Sequence, residues 1–225
     1  MKIRHAGGVE GAASAEGAVV VIDVLRAFSV SAYALAGGAS ACRLVREVAE
    51  AHALAARLPG SLISAEVGGE PVEGIAISNS PTQITETDLR GRVLVQRSSA
   101  GTQAMAAATH ADCRYAGSLV VASATANAIL RSDAETVTLV ASRADHDEDL
   151  ACARLLDAFL HGEPQPPDLL DSLYRSARYQ HLAAGANAGF PPTDCELALI
   201  VDRFDFAMPV SEDELGIKVT AAPTG

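Results

Sequence analysis

Short, wholly apolar runs that alternate with Ala- and Leu-rich amphipathic stretches constrain this chain more than any other feature. The first run, AVVVID at Ala18–Asp23, is rich in β-branched residues and stays apolar until its last position. Such a run reads as a strand buried on both faces. Leu25–Ala36 follows as a helix stopped by Gly37-Gly38. Ala41–Val45 is a second strand, and Arg46–Leu58 is a helix ending at Pro59-Gly60. Leu62–Glu66 and Val93–Gln96 are the next strands, with a helix over Thr102–Thr109. Cys113–Ala116 precedes a helix over Ala122–Leu130, and Val137–Ala141 precedes one over Glu148–Leu160. The expected fold is α/β: a three-layer α/β/α sandwich on a largely parallel or mixed sheet of about six strands. Residues 1–225 are expected to form one such domain. After Pro164, Pro166 and Pro167, residues 164–225 are expected to form a helical cover on it, with Ala221–Gly225 frayed.

Composition narrows the function classes. Apolar residues make up 49% of the chain, which excludes bulk disorder. The formal charge of −11 and the lack of a Lys/Arg run disfavour a nucleic-acid partner. Cys42, Cys113, Cys152 and Cys195 match no zinc or redox spacing and read as small buried hydrophobes in a reducing compartment. The early apolar run Ala18–Ile22 is far too short to span a membrane, and with no apolar stretch in residues 1–16 no signal peptide is expected. A cytoplasmic protein with no membrane partner is expected, and a homodimer is compatible with it.

In open α/β sheets ligands sit beyond the carboxyl ends of the strands. After the first strand come Asp23 and Arg26. A carboxylate ending a buried strand needs water, a partner or a metal. One helical turn could thus present a carboxylate to Mg²⁺ and a guanidinium to phosphate. The plainer alternative is an Asp23–Arg26 ion pair with Asp23 capping the helix. After the third strand come Glu66 and Gly68-Gly69, then Ser78-Asn79-Ser80-Pro81. Asn79 and Ser80 can donate to an oxyanion, or form an ordinary turn. After the fourth strand, Arg97-Ser98-Ser99-Ala100-Gly101-Thr102 opens a helix and could cradle an anion, although it lacks the Walker frame. Alternatively Ser99 or Thr102 is only a cap. After the sixth strand come Arg143, His146, Glu148 and Asp149. Oxygen ligands there would suit a hard cation, while solvated helix capping is the alternative.

These stretches, in this order, resemble the 2-phosphosulfolactate phosphatase (ComB-like) family. The matching segments are VIDVLRA (Val21–Ala27), AEVGG (Ala65–Gly69), SNSP (Ser78–Pro81), RSSAGT (Arg97–Thr102) and EDLACA (Glu148–Ala153). The sequence departs from the family pattern at Ala65, Val67, Ala100 and Phe28, and again after Gly117-Ser118, where Val121 or Ala122 stands for an expected Asn. The resemblance implies a phosphoric monoester hydrolase. Its reaction would be Mg²⁺-dependent hydrolysis of the phosphate ester of a small sulfonated or carboxylated hydroxy acid such as 2-phosphosulfolactate. In the family setting this serves coenzyme M synthesis. It also implies Asp23, Arg26 and Glu66 as catalytic residues, and Asp23, Glu66, Glu148 and Asp149 as metal ligands. Asn79, Ser80, Arg97, Ser98, Ser99, Gly101 and Thr102 would bind phosphate or substrate. An aspartyl-phosphate route and attack by activated water both remain open. The alternative from another class is a non-catalytic anion-binding protein on the same scaffold.

Overall fold

A computed structural model describes residues 1–185, 187 and 189–223. The elements in its first half are β1 (Lys2–Gly7), α1 (Gly8–Ala13), β2 (Gly17–Ile22), α2 (Ala27–Ala36), β3 (Ala41–Val45), α3 (Val48–Arg57), β4 (Leu62–Val67), β5 (Glu70–Pro71), α4 (Pro81–Thr85) and β6 (Val93–Arg97). There follow α5 (Gly101–Ala107), β7 (Ala111–Gly117), α6 (Ala122–Leu130), β8 (Thr136–Ala141) and α7 (Asp147–Leu160). The chain ends with α8 (Leu169–Arg175), α9 (Ala177–Ala183), α10 (Thr193–Ala198), β9 (Phe206–Ala207), β10 (Pro209–Asp213), β11 (Gly216–Val219) and β12 (Ala222–Pro223).

The α/β class holds, but the main sheet has ten strands rather than about six, in the order β1-β8-β2-β7-β10-β11-β3-β6-β4-β5. One parallel set is β1, β8, β2 and β7. A second is β3, β6 and β4. The antiparallel hairpin β10–β11 joins them, pairing with β7 on one side and β3 on the other. The antiparallel steps across the hairpin make the two sets run in opposite senses. In a flat sheet their carboxyl ends would lie on opposite edges. They meet instead: the Gly101 N–H, just after β6, donates to Asp23 Oδ2, just after β2, at 2.8 Å. Strand twist of about 20–25° per step accumulates across the sheet and curls the two ends together.

The curl encloses α2, whose Phe28, Val30, Ala32 and Ala34 are fully buried with Val19 and Val21 of β2, Cys42 of β3 and Leu94 of β6. A helix apolar on all sides suits such a position. On the outer face of the β2 half, Val20 and Ile22 pack with Ile129 of α6 and with Leu155 and Leu156 of α7. On the other half α3 lays Ala51 and Leu54 against Val95. Helices therefore cover both faces.

Two expectations are corrected. Strand β1 and helix α1 were not foreseen, because β1 is an edge strand whose KIRHAG has no apolar run. The expected helical cover holds only for α8, α9 and α10. Residues 206–223 form strands, and β10–β11 lies in the middle of the sheet. Its partly exposed faces dilute the apolar signal, so Ser211-Glu212-Asp213-Glu214 reads as a polar tail. Ala222 and Pro223 pair with Ala207 and Phe206 rather than fraying, while Thr224 and Gly225 lie outside the described residues. All four cysteines are free, three of them buried and Cys113 half-buried. Among the described residues no helix is long and apolar enough to cross a membrane.

Candidate active site

The converging strand ends open on a cleft of about 240 Å³ lined by Asp23, Arg26, Glu66, Gly68, Asn79 and Ser99. Arg143, His146, Arg178, Asn187 and Phe190 line it as well.

Asp23 is 4% exposed. Its Oδ1 accepts the Ala27 N–H at 3.1 Å and its Oδ2 the Gly101 N–H at 2.8 Å. Burial pushes its carboxyl up to about 6; the two N–H donors pull the other way, and the charges of Glu66 and Glu148 add to the rise. The expected capping role is thus present, but the expected Asp23–Arg26 ion pair is not. Arg26 instead places Nη1 on Asp194 Oδ2 at 2.8 Å and on the Gly189 carbonyl at 2.7 Å. Its guanidinium stacks 4.1 Å above the Phe190 ring. Asp194 is fully buried, and its Oδ1 accepts from Ser80 Oγ at 2.7 Å and from the Thr82 N–H at 2.9 Å.

Glu66 comes next to the end of β4, followed by Gly68 and Gly69, whose φ values of 63° and 89° make the tight turn into β5. The turn brings the Gly69 N–H to Glu66 Oε2 at 2.6 Å. Ser99 donates its hydroxyl to Oε2 at 3.0 Å and its N–H to Oε1. Asn79 is held by Gln96, which donates to Asn79 Oδ1 at 3.3 Å and to the Ala27 carbonyl at 2.6 Å. That arrangement leaves the Asn79 amide N–H groups for the cleft.

Other predicted residues lie behind the cleft wall. Ser80 caps α4 by accepting from the Gln83 N–H and donates to Asp194. Ser98 and Thr102 bond each other reciprocally at the start of α5: the Thr102 N–H reaches Ser98 Oγ at 3.0 Å, and the Ser98 N–H reaches Thr102 Oγ1 at 2.9 Å. The Gly101 N–H is taken by Asp23. Arg97 holds the Glu66 carbonyl, Ser99 Oγ at 2.9 Å and the Arg46 carbonyl at 3.1 Å. Asp149 accepts the Val24 N–H at 2.8 Å and the Ser142 hydroxyl at 2.9 Å. Burial lifts it well above the usual carboxylate range, with the charges of Asp23 and Glu148 adding. Glu148 takes Arg178 Nε at 2.9 Å; burial raises it and Arg178 opposes the rise.

Sequence reasoning missed Phe190, Arg178 and Asn187, which reach the cleft from distant helices and turns with no local signature, and Asp194, which holds Arg26 from behind it. Arg143 and His146 stood in a quoted strand-end stretch. Burial, reinforced by Arg178, pushes His146 down to about 4, so it is neutral in neutral solution.

Among the described residues no three His, Cys, Asp or Glu side chains converge closely enough to hold a metal ion. Mg²⁺, however, commonly takes only one or two carboxylates, with water and substrate oxygens completing its shell. The buried, mutually repelling Asp23 and Glu66 fit that requirement. Glu148 and Asp149 do not line the cleft.

Comparison with known proteins agrees with the motif order. The family model described as 2-phosphosulpholactate phosphatase matches residues 7–208. The chain is 32% identical over 145 residues to a probable 2-phosphosulfolactate phosphatase of Bacillus subtilis, covering 64% of each protein. With the protein of that name from Carboxydothermus hydrogenoformans it shares 36% over 162 residues, covering 71% of this chain and 66% of that one. With that of a Synechococcus strain it shares 34% over 151 residues, 64% of this chain and 62% of that one. The matches thus span just under two thirds of the length of these curated relatives. The chain belongs to the 2-phosphosulfolactate phosphatase family.

Proposed function

We propose, on the premise of that membership, that the protein is a Mg²⁺-dependent phosphatase for the phosphate ester of a small sulfonated or carboxylated hydroxy acid, of the 2-phosphosulfolactate kind. The observation that carries the proposal is one small cleft into which two buried carboxylates, Asp23 and Glu66, and one buried guanidinium, Arg26, all open. At about 240 Å³ it lies below the usual range for drug-sized ligands and suits a small metabolite.

Asp23 and Glu66 would hold the cation, which supplies positive charge to a phosphoryl oxygen when bound. Arg26, fixed by Asp194 and Phe190, presents the rest of its guanidinium to the phosphate. Asn79, oriented by Gln96, adds amide donors. Without a cation, burial and the neighbouring carboxylates hold the Asp23 carboxyl near 6, and a cation at Asp23 would favour its charged form. Hydrolysis breaks the phosphorus–ester oxygen bond; water gives its oxygen to phosphorus and a proton to the departing alkoxide. The free cysteines fit a reducing compartment, the cytoplasm.

The test is Asp23→Asn assayed for phosphate release from 2-phosphosulfolactate. Turnover should vanish while the circular dichroism spectrum and cooperative unfolding persist. Turnover at the wild-type rate would remove Asp23 from the chemistry.

A further inference from the structure

One buried carboxylate has no part in the phosphate chemistry: Asp149, in the first turn of α7, is fully buried and outside the lining of the cleft. Its Oδ1 accepts the Val24 N–H at 2.8 Å, and its Oδ2 accepts the Ser142 hydroxyl at 2.9 Å. Val24 is itself fully buried, where the chain leaves β2. Up to Asp23 the sheet supplies partners: the Asp23 N–H donates to the Gly117 carbonyl of β7 at 3.1 Å. The next N–H has turned out of the ladder, and a buried N–H without an acceptor is costly. Asp149 is that acceptor. Ser142 in turn donates its N–H to the Ile22 carbonyl at 2.7 Å, so both partners of the carboxylate brace it against the end of β2. The group held is the peptide that joins Asp23 to Val24. Its carbonyl side accepts the Phe28 N–H at 3.0 Å, and its N–H side is held by Asp149.

We propose that Asp149 is a positioning residue for Asp23 rather than a metal ligand: by fixing the Asp23–Val24 peptide it aims the Asp23 carboxylate at the Ala27 and Gly101 N–H groups and into the cleft. This deepens the phosphatase reading, and rests on it only for what Asp23 does once aimed. The role needs an acceptor for Val24 and a partner for Ser142, not a charge. Asparagine supplies both: its carbonyl oxygen accepts from Val24, and its NH₂ donates to Ser142 Oγ, a hydroxyl that accepts as readily as it donates. Alanine supplies neither. A metal ligand would order the two variants differently, because exchanging a carboxylate for a neutral amide takes charge away from the cation.

The experiment follows amide hydrogen exchange by NMR in the full chain without added metal, for wild type, Asp149→Asn and Asp149→Ala. The Ala27 and Gly101 N–H groups bond the two Asp23 oxygens, so their protection reports where that carboxylate points and needs neither metal nor turnover. Val20 and Leu139, on the paired strands β2 and β8, report any general loss of stability. In Asp149→Ala, exchange at Ala27 and Gly101 should accelerate by about tenfold or more beyond that at Val20 and Leu139, the scale of one lost buried hydrogen bond. In Asp149→Asn it should stay within about threefold of wild type, and so should Mg²⁺ affinity by calorimetry. Equal acceleration at all four amides in Asp149→Ala would make Asp149 a structural residue alone and overturn the proposal. So would Asp149→Asn exchanging as fast as Asp149→Ala. Loss of Mg²⁺ affinity by about tenfold in Asp149→Asn, with exchange unchanged, would make Asp149 a ligand and overturn it too. Should Asp149→Ala fail to fold, Ser142→Ala carries the test: it leaves the carboxylate but frees Oδ2, and exchange at Gly101 should rise by about threefold over Val20. No rise there would overturn the proposal. If exchange behaves as expected but the wild type binds no Mg²⁺ or releases no phosphate, the positioning role stands and the phosphatase reading falls.

Discussion

Replacing Asp194 with Asn should be among the most damaging isosteric changes available in this protein. Arg26 and Asp194 are 3% and 0% exposed at their side chains and meet at 2.8 Å. The carboxylate is used on both oxygens: Oδ2 by Arg26, Oδ1 by Ser80 and the Thr82 N–H. An Asn side chain must turn its NH₂ towards one of these donors. Towards Arg26 it sets donor against donor beside a buried cation; towards Thr82 it opposes an N–H that cannot rotate away. Breaking a buried pair from one side costs about 3–5 kcal/mol, because the remaining charge has no compensation. For a chain of this length each kcal/mol moves the melting temperature by about 2–4 °C, so the expected drop is roughly 6–20 °C. Urea unfolding at pH 7 should show the midpoint falling with the slope unchanged. Arg26, freed from its anchor, should also bind phosphate less well, raising KM. A midpoint within about 1 kcal/mol of wild type would refute the reasoning, since the pair would then not be the buried fixture described.

Asp23 makes a pH prediction with a definite sign. Its native carboxyl titrates near 6, above the unfolded value of about 3.9, so ionising it costs the fold roughly 3 kcal/mol. That cost is present above pH 6 and vanishes below about pH 4. The stability of Asp23→Asn relative to wild type should therefore rise by about that amount between pH 4 and 7.5; an equal gap at both pH values would contradict it. A cation held by Asp23 favours its charged form, so the acid limb of kcat/KM should move below pH 6 as Mg²⁺ is raised, and a limb that does not move with Mg²⁺ would argue against Asp23 as its ligand. Gly101→Ala would place a Cβ 2.5 Å from Asp23 Oδ2 and 3.0 Å from Ala27 Cβ, so the carboxylate must shift. Loss of kcat on the order of 10²-fold in a folded protein is expected, and kcat within about twofold of wild type would show that the carboxylate position is not critical.

The strand ends were legible in the sequence because buried parallel strands write themselves as unbroken apolar runs. Asp23, Glu66 and Arg97, at or beside their carboxyl ends, could be read directly against the rule for ligand sites. The hairpin β10–β11 was not legible: half-exposed strands with Glu and Asp on them resemble a polar tail. Arg26 was found, but its partner was not, since Asp194 lies on a distant helix and nothing in a single sequence specifies that approach. Local spacing favoured Asp23 as the counter-ion, whereas in the fold Asp23 is satisfied by two backbone N–H groups. Ser80, Ser98 and Thr102 show the opposite failure. Hydroxyls at helix starts look like anion ligands, yet the backbone and neighbouring side chains claim them first.

The most direct test of the central claim is phosphate release from 2-phosphosulfolactate, phospholactate, phosphoglycolate and 3-phosphoglycerate, each assayed with Mg²⁺ and with EDTA. The account predicts release that requires the metal and is strongest for one of these esters, each of which bears two or three anionic groups. Thermal stabilisation by the same compounds with no phosphate released would contradict it, and would leave a binding protein on a phosphatase scaffold.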